Sequence, residues 1–105
     1  MASRIELDVA HEHTPDRALE RLQALAEYYH HRHGATVTWE GHAGDLTVRY
    51  LGLRLHVRFQ VEPGRVHCSA PDPGFLWRKR GLEYLRKKIA RYLDPATPVE
   101  ALPRR

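Results

Sequence analysis

Eight histidines are the residues of this chain best suited to chemistry: His11, His13, His30, His31, His33, His42, His56 and His67. Imidazoles titrate near neutral pH and ligate metals, so His11-x-His13 and the run His30-His31-Arg32-His33 suggest a metal site or a proton relay. The spacing favours a plainer role. His11 and His13 have no carboxylate or imidazole partner specified by the pattern. His30 and His33 are one helical turn apart, but Arg32 adds a repulsive charge between them. Such residues also suit the negative end of a helix. No metal site is expected.

The nucleophiles are as sparse. Cys68 falls on the inward side of an alternating run, the position of a small core residue rather than a reactive thiol. Ser3 and Ser69 have no base in a motif. The chain has no Gly-rich phosphate loop, nucleophile elbow or zinc-type cysteine pattern. Carboxylates two residues apart, such as Glu6 and Asp8, are ordinary neighbours on one strand face. No catalytic residue and no cofactor is expected, so the chain reads as a non-enzyme.

Cations offer more. Residues 1–74 carry a formal charge of −2 and residues 75–105 carry +6, so the overall +4 belongs to the last third. Arg78, Lys79, Arg80, Arg86, Lys87, Lys88 and Arg91 oppose only Glu83 within residues 75–93. Any anionic partner should meet this segment, with Arg86, Lys87, Lys88 and Arg91 as candidate anion contacts. The segment reads as one helix. Phe75, Leu82, Leu85, Ile89, Tyr92 and Leu93 fall on a single apolar stripe. Leu76 and Trp77 lie off it, beside Arg78-Lys79-Arg80: either the helix begins a residue or two later and they cover the edge of the core, or they are exposed. These five residues are the candidate surface or partner contact, a composition suited to an anionic or lipid-like interface.

The elements that must position this helix are legible in order. Arg4 to Val9 alternates apolar and charged residues, as in a half-buried strand. Thr14 caps and Pro15 opens a helix over 15–33, with Ala18, Leu19, Leu22, Leu25, Ala26 and Tyr29 on one face and Gly34 as the stop. Four strand-like runs follow. The first places Val37 and Trp39 inward. The second does so with Leu46, Val48 and Tyr50. Leu51-Gly52 turns into the third, which turns Leu53, Leu55, Val57, Phe59 and Val61 inward. Glu62-Pro63-Gly64-Arg65 turns into the fourth, with Val66, Cys68 and Ala70 inward. Asp94-Pro95 ends the last helix. The spacing therefore predicts an α+β fold, a two-layer sandwich. Its five-stranded, mostly antiparallel sheet, in the order β-α-β-β-β-β-α, carries both helices on one face. Residues 1–94 form the single domain. Residues 95–105, with three prolines and no periodicity, are expected to be a loosely ordered tail.

The outer face of that sheet should balance Arg4, Arg49, Arg54, Arg58 and Arg65 against Glu6, Asp8, Glu40, Asp45 and Glu62, giving cross-strand ion pairs. It is expected to be solvated, with a homodimer interface as the alternative. A length of 105 residues suits one small globular domain. No apolar run approaches the roughly 18 residues of a membrane span. The first residues lack the apolar core of a signal peptide, and the lone cysteine fits a reducing compartment, so a cytoplasmic location is expected.

Several stretches together resemble the bacterial polyhydroxyalkanoic acid system protein family, small proteins encoded near genes for polyester storage granules. They are Ile5-Glu6-Leu7 with His11 or His13, Arg17-Ala18-Leu19, Val37-Thr38-Trp39-Glu40-Gly41 and Asp45-Leu46-Thr47-Val48. Later come Gly52-Leu53-Arg54-Leu55, Val66, Gly74-Phe75-Leu76, Leu82-Glu83 and Ile89-Ala90-Arg91-Tyr92-Leu93-Asp94. The resemblance covers about residues 4–94. One departure is Glu12-His13-Thr14-Pro15, where the family has a His-Ser-Leu-Gly-like approach to the first helix. Another is a heavier Arg78-Lys79-Arg80 cluster. The resemblance implies an accessory or binding role at polyhydroxyalkanoate granules or in their metabolism, with the polyester surface or granule proteins as partners. It brings no catalytic residues. Two alternatives stand beside it. One is a binder of small apolar ligands or acyl chains using Trp39, Tyr50, Phe59 and Trp77. The other is nucleic-acid binding through the basic helix.

Overall fold

A computed structural model describes residues 4–50, 53–71 and 74–105 of the chain, with side chains at all of these except 50, 53 and 75–77. The elements run β1 (Arg4–Ala10), α1 (Pro15–His33), β2 (Thr36–Glu40), β3 (Ala43–Tyr50), β4 (Leu53–Glu62), β5 (Arg65–Pro71), α2 (Phe75–Leu93) and a short 3-10 turn, η1 (Val99–Ala101). The expected α+β sandwich is the fold observed. The sheet order is β1-β5-β4-β3-β2 and every pairing is antiparallel. The meander β2 to β5 follows from short turns, and β1 joins it at the far edge against β5.

The register sets the core. Leu7 lies opposite Cys68, Cys68 opposite Phe59, Phe59 opposite Gly44, and Gly44 opposite Trp39. Side chains in register point to one face, so this row crosses the whole sheet beneath the helices. Leu7, Cys68 and Phe59 are buried with Val9, Val61, Val66 and Leu46. Gly44 has a specific reason to lack a side chain. A Cβ there would come within 2.4 Å of the Trp39 ring, which lies across it. From above, Ala18, Leu22, Leu25 and Ala26 of α1 and Ile89, Tyr92 and Leu93 of α2 complete the cluster. Leu55, expected inward, is 37% exposed. The calls on Tyr50, the Leu51-Gly52 turn, Leu53 and the side chains of Phe75, Leu76 and Trp77 lie outside the described residues.

Helix α1 forms as its ends dictate. Thr14 Oγ1 accepts the Arg17 N–H at 3.3 Å, Pro15 occupies the first turn, and Gly34 at φ 70° donates its N–H to the His30 carbonyl. It packs against β2, β3 and β4, while α2 packs against β1 and α1. The helices run antiparallel, since Arg21 reaches Tyr92 while Tyr29 meets Tyr84.

The tail corrects the expectation of loose order. Asp94 Oδ1 accepts the Ala96 N–H and the Asp94 carbonyl accepts the Thr97 N–H, folding the chain back. Leu102 is buried, Arg104 pairs with Glu27 at 2.7 Å, and the Tyr92 hydroxyl donates to the Pro103 carbonyl. Prolines restrict the unfolded chain as well as the folded one, so their density is compatible with a docked segment. Composition alone does not reveal what such a segment docks onto.

Candidate functional site

The basic face of α2 is built against ordinary helix preferences. Its N-cap is Gly74, with no side-chain capping bond, and its first turn has no acidic residue. Arg78, Lys79 and Arg80 instead crowd the positive end of the helix dipole, an arrangement that disfavours the helix by up to about 1 kcal/mol per charge. Gly81 follows, costing about another 1 kcal/mol relative to alanine. From Leu82 onward the helix is held by packing. Leu82 and Leu85 are half-buried, and Ile89, Tyr92 and Leu93 are buried. The cations thus sit on a helix anchored by its C-terminal half.

The structure separates those cations into two groups. Arg86 and Lys88 are engaged within the molecule. Arg86 donates to the Asp8 carbonyl at 3.2 Å, on the outer edge of β1. The Lys88 ammonium lies 4.2 Å from the centre of the Tyr28 ring, a cation–π contact. Lys79, Arg80, Lys87 and Arg91 are exposed, and none of these four makes an ion pair among the described residues. Arg78 is exposed too. Arg80, Lys87 and Arg91 recur at helical spacing on the outer face, with Glu83 between them.

Beside this face, the seam between the helices gathers Tyr29, expected on the apolar face of α1, with Tyr28 and Tyr84, which the sequence reading did not assign. Tyr28 and Tyr29 meet edge to face, and Arg32 lies 5.9 Å from the Tyr28 ring centre. The Tyr29 and Tyr84 hydroxyls are 2.9 Å apart. Burial, then the Tyr84 hydrogen bond, pushes the Tyr29 phenol far above its ordinary range. Tyr84 itself is 53% exposed. Tyr28 and Arg32 lie one turn apart on α1, and Tyr84 and Lys88 one turn apart on α2. Those two spacings were the available signal, but only antiparallel packing brings them together.

The outer sheet face is different, because several of its charges meet one another, although Arg49 and Arg54, expected to find carboxylates, lie opposite each other and make no ion pair among the described residues. Arg58 pairs with Asp45 at 2.7 Å, and His56 reaches the same carboxylate at 3.1 Å. Arg65 joins Glu62 at 2.8 Å and Asp8 at 3.7 Å. His67 Nδ1 donates to Asp8 at 2.7 Å, with Glu6 3.4 Å from its other nitrogen.

The His67–Asp8 contact gives a pH prediction with a definite sign. The Asp8 hydrogen bond raises the His67 pKa above its ordinary 6.5, and the His67 hydrogen bond lowers that of Asp8 below 3.8. A raised imidazole stabilises the fold fully below 6.5 and loses that contribution as pH climbs through the folded value. A lowered carboxylate stabilises above 3.8 and loses it as pH falls through the folded value. The pair therefore helps most between those limits. Both groups are largely solvated, so the effect is small. His67→Gln should lower the melting temperature more at pH 5 than at pH 8.5; an equal loss at both would contradict this assignment.

The remaining histidines are mostly occupied by hydrogen bonds. His11 Nε2 donates to the Glu62 carbonyl at 2.9 Å while its Nδ1 accepts the His13 N–H at 3.1 Å. His13 Nε2 donates to the Leu93 carbonyl at 2.7 Å, joining the β1–α1 connection to the end of α2. His30 Nδ1 donates to the Ala35 carbonyl at 2.8 Å, and His42 to Asp16 at 2.8 Å. Among the described residues no three His, Cys, Asp or Glu side chains gather as metal ligands.

Cys68 is 1% exposed, and burial pushes its thiol up to about 12. Thiol reagents should modify it in urea but only negligibly in the folded chain at pH 8; comparable rates would show the strand opening readily.

Arg21 is a buried cation that the sequence reading missed. It is 7% exposed and donates to the carbonyls of Tyr92 at 3.1 Å, Asp94 at 3.0 Å and Thr97 at 2.7 Å. These belong to the end of α2 and the turn beyond it. Arg21 thus closes the C-terminus of a neighbouring helix, where the dipole favours a cation.

An open groove of about 710 Å³ runs between α1, β2 and the tail, lined in part by Glu20, Glu27, Trp39, Val99 and Arg104. A second, of about 670 Å³, is lined mainly by polar and charged groups including His13, Asp16, Arg17 and Arg21. Of the aromatic residues named for an acyl-ligand site, Phe59 is filled into the core and Trp39 lies over Gly44 on the same face, while Tyr50 and the Trp77 side chain lie outside the described residues. Among the described residues no helix is long and apolar enough to cross a membrane.

Neither a family model, nor a curated protein, nor a solved structure matches this chain.

Proposed function

We propose that this protein is a non-enzymatic accessory protein that attaches, through the outer face of α2, to the surface of polyhydroxyalkanoate granules. One observation carries the attachment face. The outer sheet face pairs Arg58, Arg65 and His67 with carboxylates and leaves only scattered cations such as Arg49 and Arg54, whereas on α2 Lys79, Arg80, Lys87 and Arg91 are exposed together without ion pairs among the described residues. Lys79 and Arg80, kept at the positive end of a helix whose N-cap is a glycine, are unfavourable to folding, and an external anionic surface would offset that cost. The granule is supported by the resemblance over residues 4–94, including Gly74-Phe75-Leu76 at the start of this helix.

Co-sedimentation with purified granules tests the reading. The chain should be enriched over an unrelated basic protein of similar size, and the triple change Lys79→Glu, Lys87→Glu, Arg91→Glu should weaken binding at least about tenfold, an effect of about 1.4 kcal/mol. Equal enrichment of the control protein would sink it.

A second reading, nucleic-acid binding, is favoured by the interleaving of Tyr28, Tyr84, Arg32 and Lys88 at the helix seam, since bases stack on aromatic rings flanked by cations. It requires salt-sensitive binding to single-stranded RNA that weakens in Tyr84→Ser as well as in the charge-reversed variant. Binding indifferent to salt would exclude it.

A further inference from the structure

The two edges of the sheet are treated differently. At β1 the outward carbonyl of Asp8 is capped by Arg86, and α2 packs alongside. At the opposite edge, β2 pairs only with β3 among the described residues. The turn Gly41–His42 joins two strands whose closing pair is Glu40 with Ala43. A two-residue hairpin closes on a hydrogen-bonded pair, and such pairs then alternate. Thr36, Thr38 and Glu40 therefore bond inward to β3. The Val61 N–H donating to the His42 carbonyl fits this phase, because His42 then serves β4 and Ala43 serves β2. Val37 and Trp39 are left with N–H and C=O groups directed out of the sheet. Just before them, Ala35 is satisfied by α1, its N–H by Tyr29 and its carbonyl by His30. The open edge is thus three residues long and defined at its start.

We propose that this edge pairs with the same edge of a second copy, antiparallel about a two-fold axis at Thr38, giving one continuous ten-stranded sheet. In that register Val37 and Trp39 lie opposite Trp39 and Val37 of the other copy, and the two pairs exchange four backbone hydrogen bonds. Their half-exposed side chains meet on the helix side, an apolar–aromatic pairing that stabilises sheets. On the outer side Thr38 meets Thr38, and Glu40 meets Thr36. No like charges face each other. The edge is self-complementary in charge, since residues 35–41 carry only Glu40, which the two-fold sets opposite Thr36 rather than opposite its own copy. Because α2 lies at the β1 side, the two basic helices end far apart, so the pairing does not set cation against cation. The dimer stands independently of the granule reading. If that reading holds, two cationic faces on one particle would bind by avidity.

Sedimentation equilibrium of the intact chain over a range of concentrations reads the result. The wild-type protein should approach twice 12.2 kDa as concentration rises. Thr38→Lys, an exposed change that sets two ammonium groups face to face at the axis, should raise the dissociation constant at least about tenfold. Thr38→Glu should do the same, and mixing the two variants should restore a dimer. Val37→Pro removes an outward donor without touching the β3 ladder, and should also dissociate the pair. A wild-type chain that is monomeric at about 100 μM, or a dimer that Thr38→Lys leaves intact, overturns the proposal. A mixture of the Lys and Glu variants that stays monomeric overturns the register.

Discussion

Replacing Arg21 with methionine should destabilise the protein by about 2–4 kcal/mol, although the site lies outside the apolar stripe read from the sequence. Methionine keeps most of the unbranched stem, so the loss isolates the guanidinium. Three carbonyls then lose their donor. A hydrogen bond from a charged group contributes about 1.5–3 kcal/mol, and a buried acceptor left unsatisfied costs about 1–3 kcal/mol. Only the Tyr92 carbonyl is buried; those of Asp94 and Thr97 can recover water, and removing a buried cation returns its desolvation cost. These opposing effects keep the sum well below three full bonds. In urea unfolding the midpoint should fall with little change in slope, as expected when the folded state alone is weakened. The tail should become cleavable near Arg104 and Arg105 before global unfolding. A loss under about 1 kcal/mol would mean that water already serves these carbonyls.

That arginine also marks where the sequence stopped being legible. Strands and helices could be read because each has a period and clear ends: Ile5, Leu7 and Val9 alternate, Thr14-Pro15 opens a helix, and Gly34 closes it. Short turns then leave few ways to order four strands, so the meander follows. The cationic face was legible for the same reason, since Lys87 and Arg91 are one turn apart on a helix whose apolar stripe is known. Interactions that cross the fold have no such local signature. Arg21 looks like any charge on a helix until the end of α2 lies beside it. Lys88 and Arg86 look identical to Lys87 until Tyr28 and the Asp8 carbonyl occupy them. The tail failed as a reading for a related reason. Proline content reports the absence of helix and strand, and says nothing about whether Leu102 finds an apolar site.

Tyr92 tests that docking directly, and Tyr92→Ala should produce the largest loss of any substitution considered, about 3–5 kcal/mol. Tyr92 is 1% exposed and heads the fully buried side chains by volume. Truncating a buried aromatic removes its transfer free energy and leaves a cavity that the sheet below cannot close. The smaller change Tyr92→Phe separates packing from hydrogen bonding. It keeps the ring but removes the hydroxyl that donates to the Pro103 carbonyl, and should cost about 1 kcal/mol. Coupling to the tail supplies the decisive comparison. In a chain ending at Asp94 the Pro103 acceptor is gone, so Tyr92→Phe should be close to neutral there. Removal of the tail should itself be destabilising, through loss of the buried Leu102 and of the bond from Arg21 to the Thr97 carbonyl. A coupling energy near zero between Tyr92→Phe and the truncation, measured by urea unfolding of all four chains, would show that the tail rests on α2 without contributing to its stability. A coupling of about 1 kcal/mol would make residues 95–105 part of the cooperative unit that holds the basic helix in place.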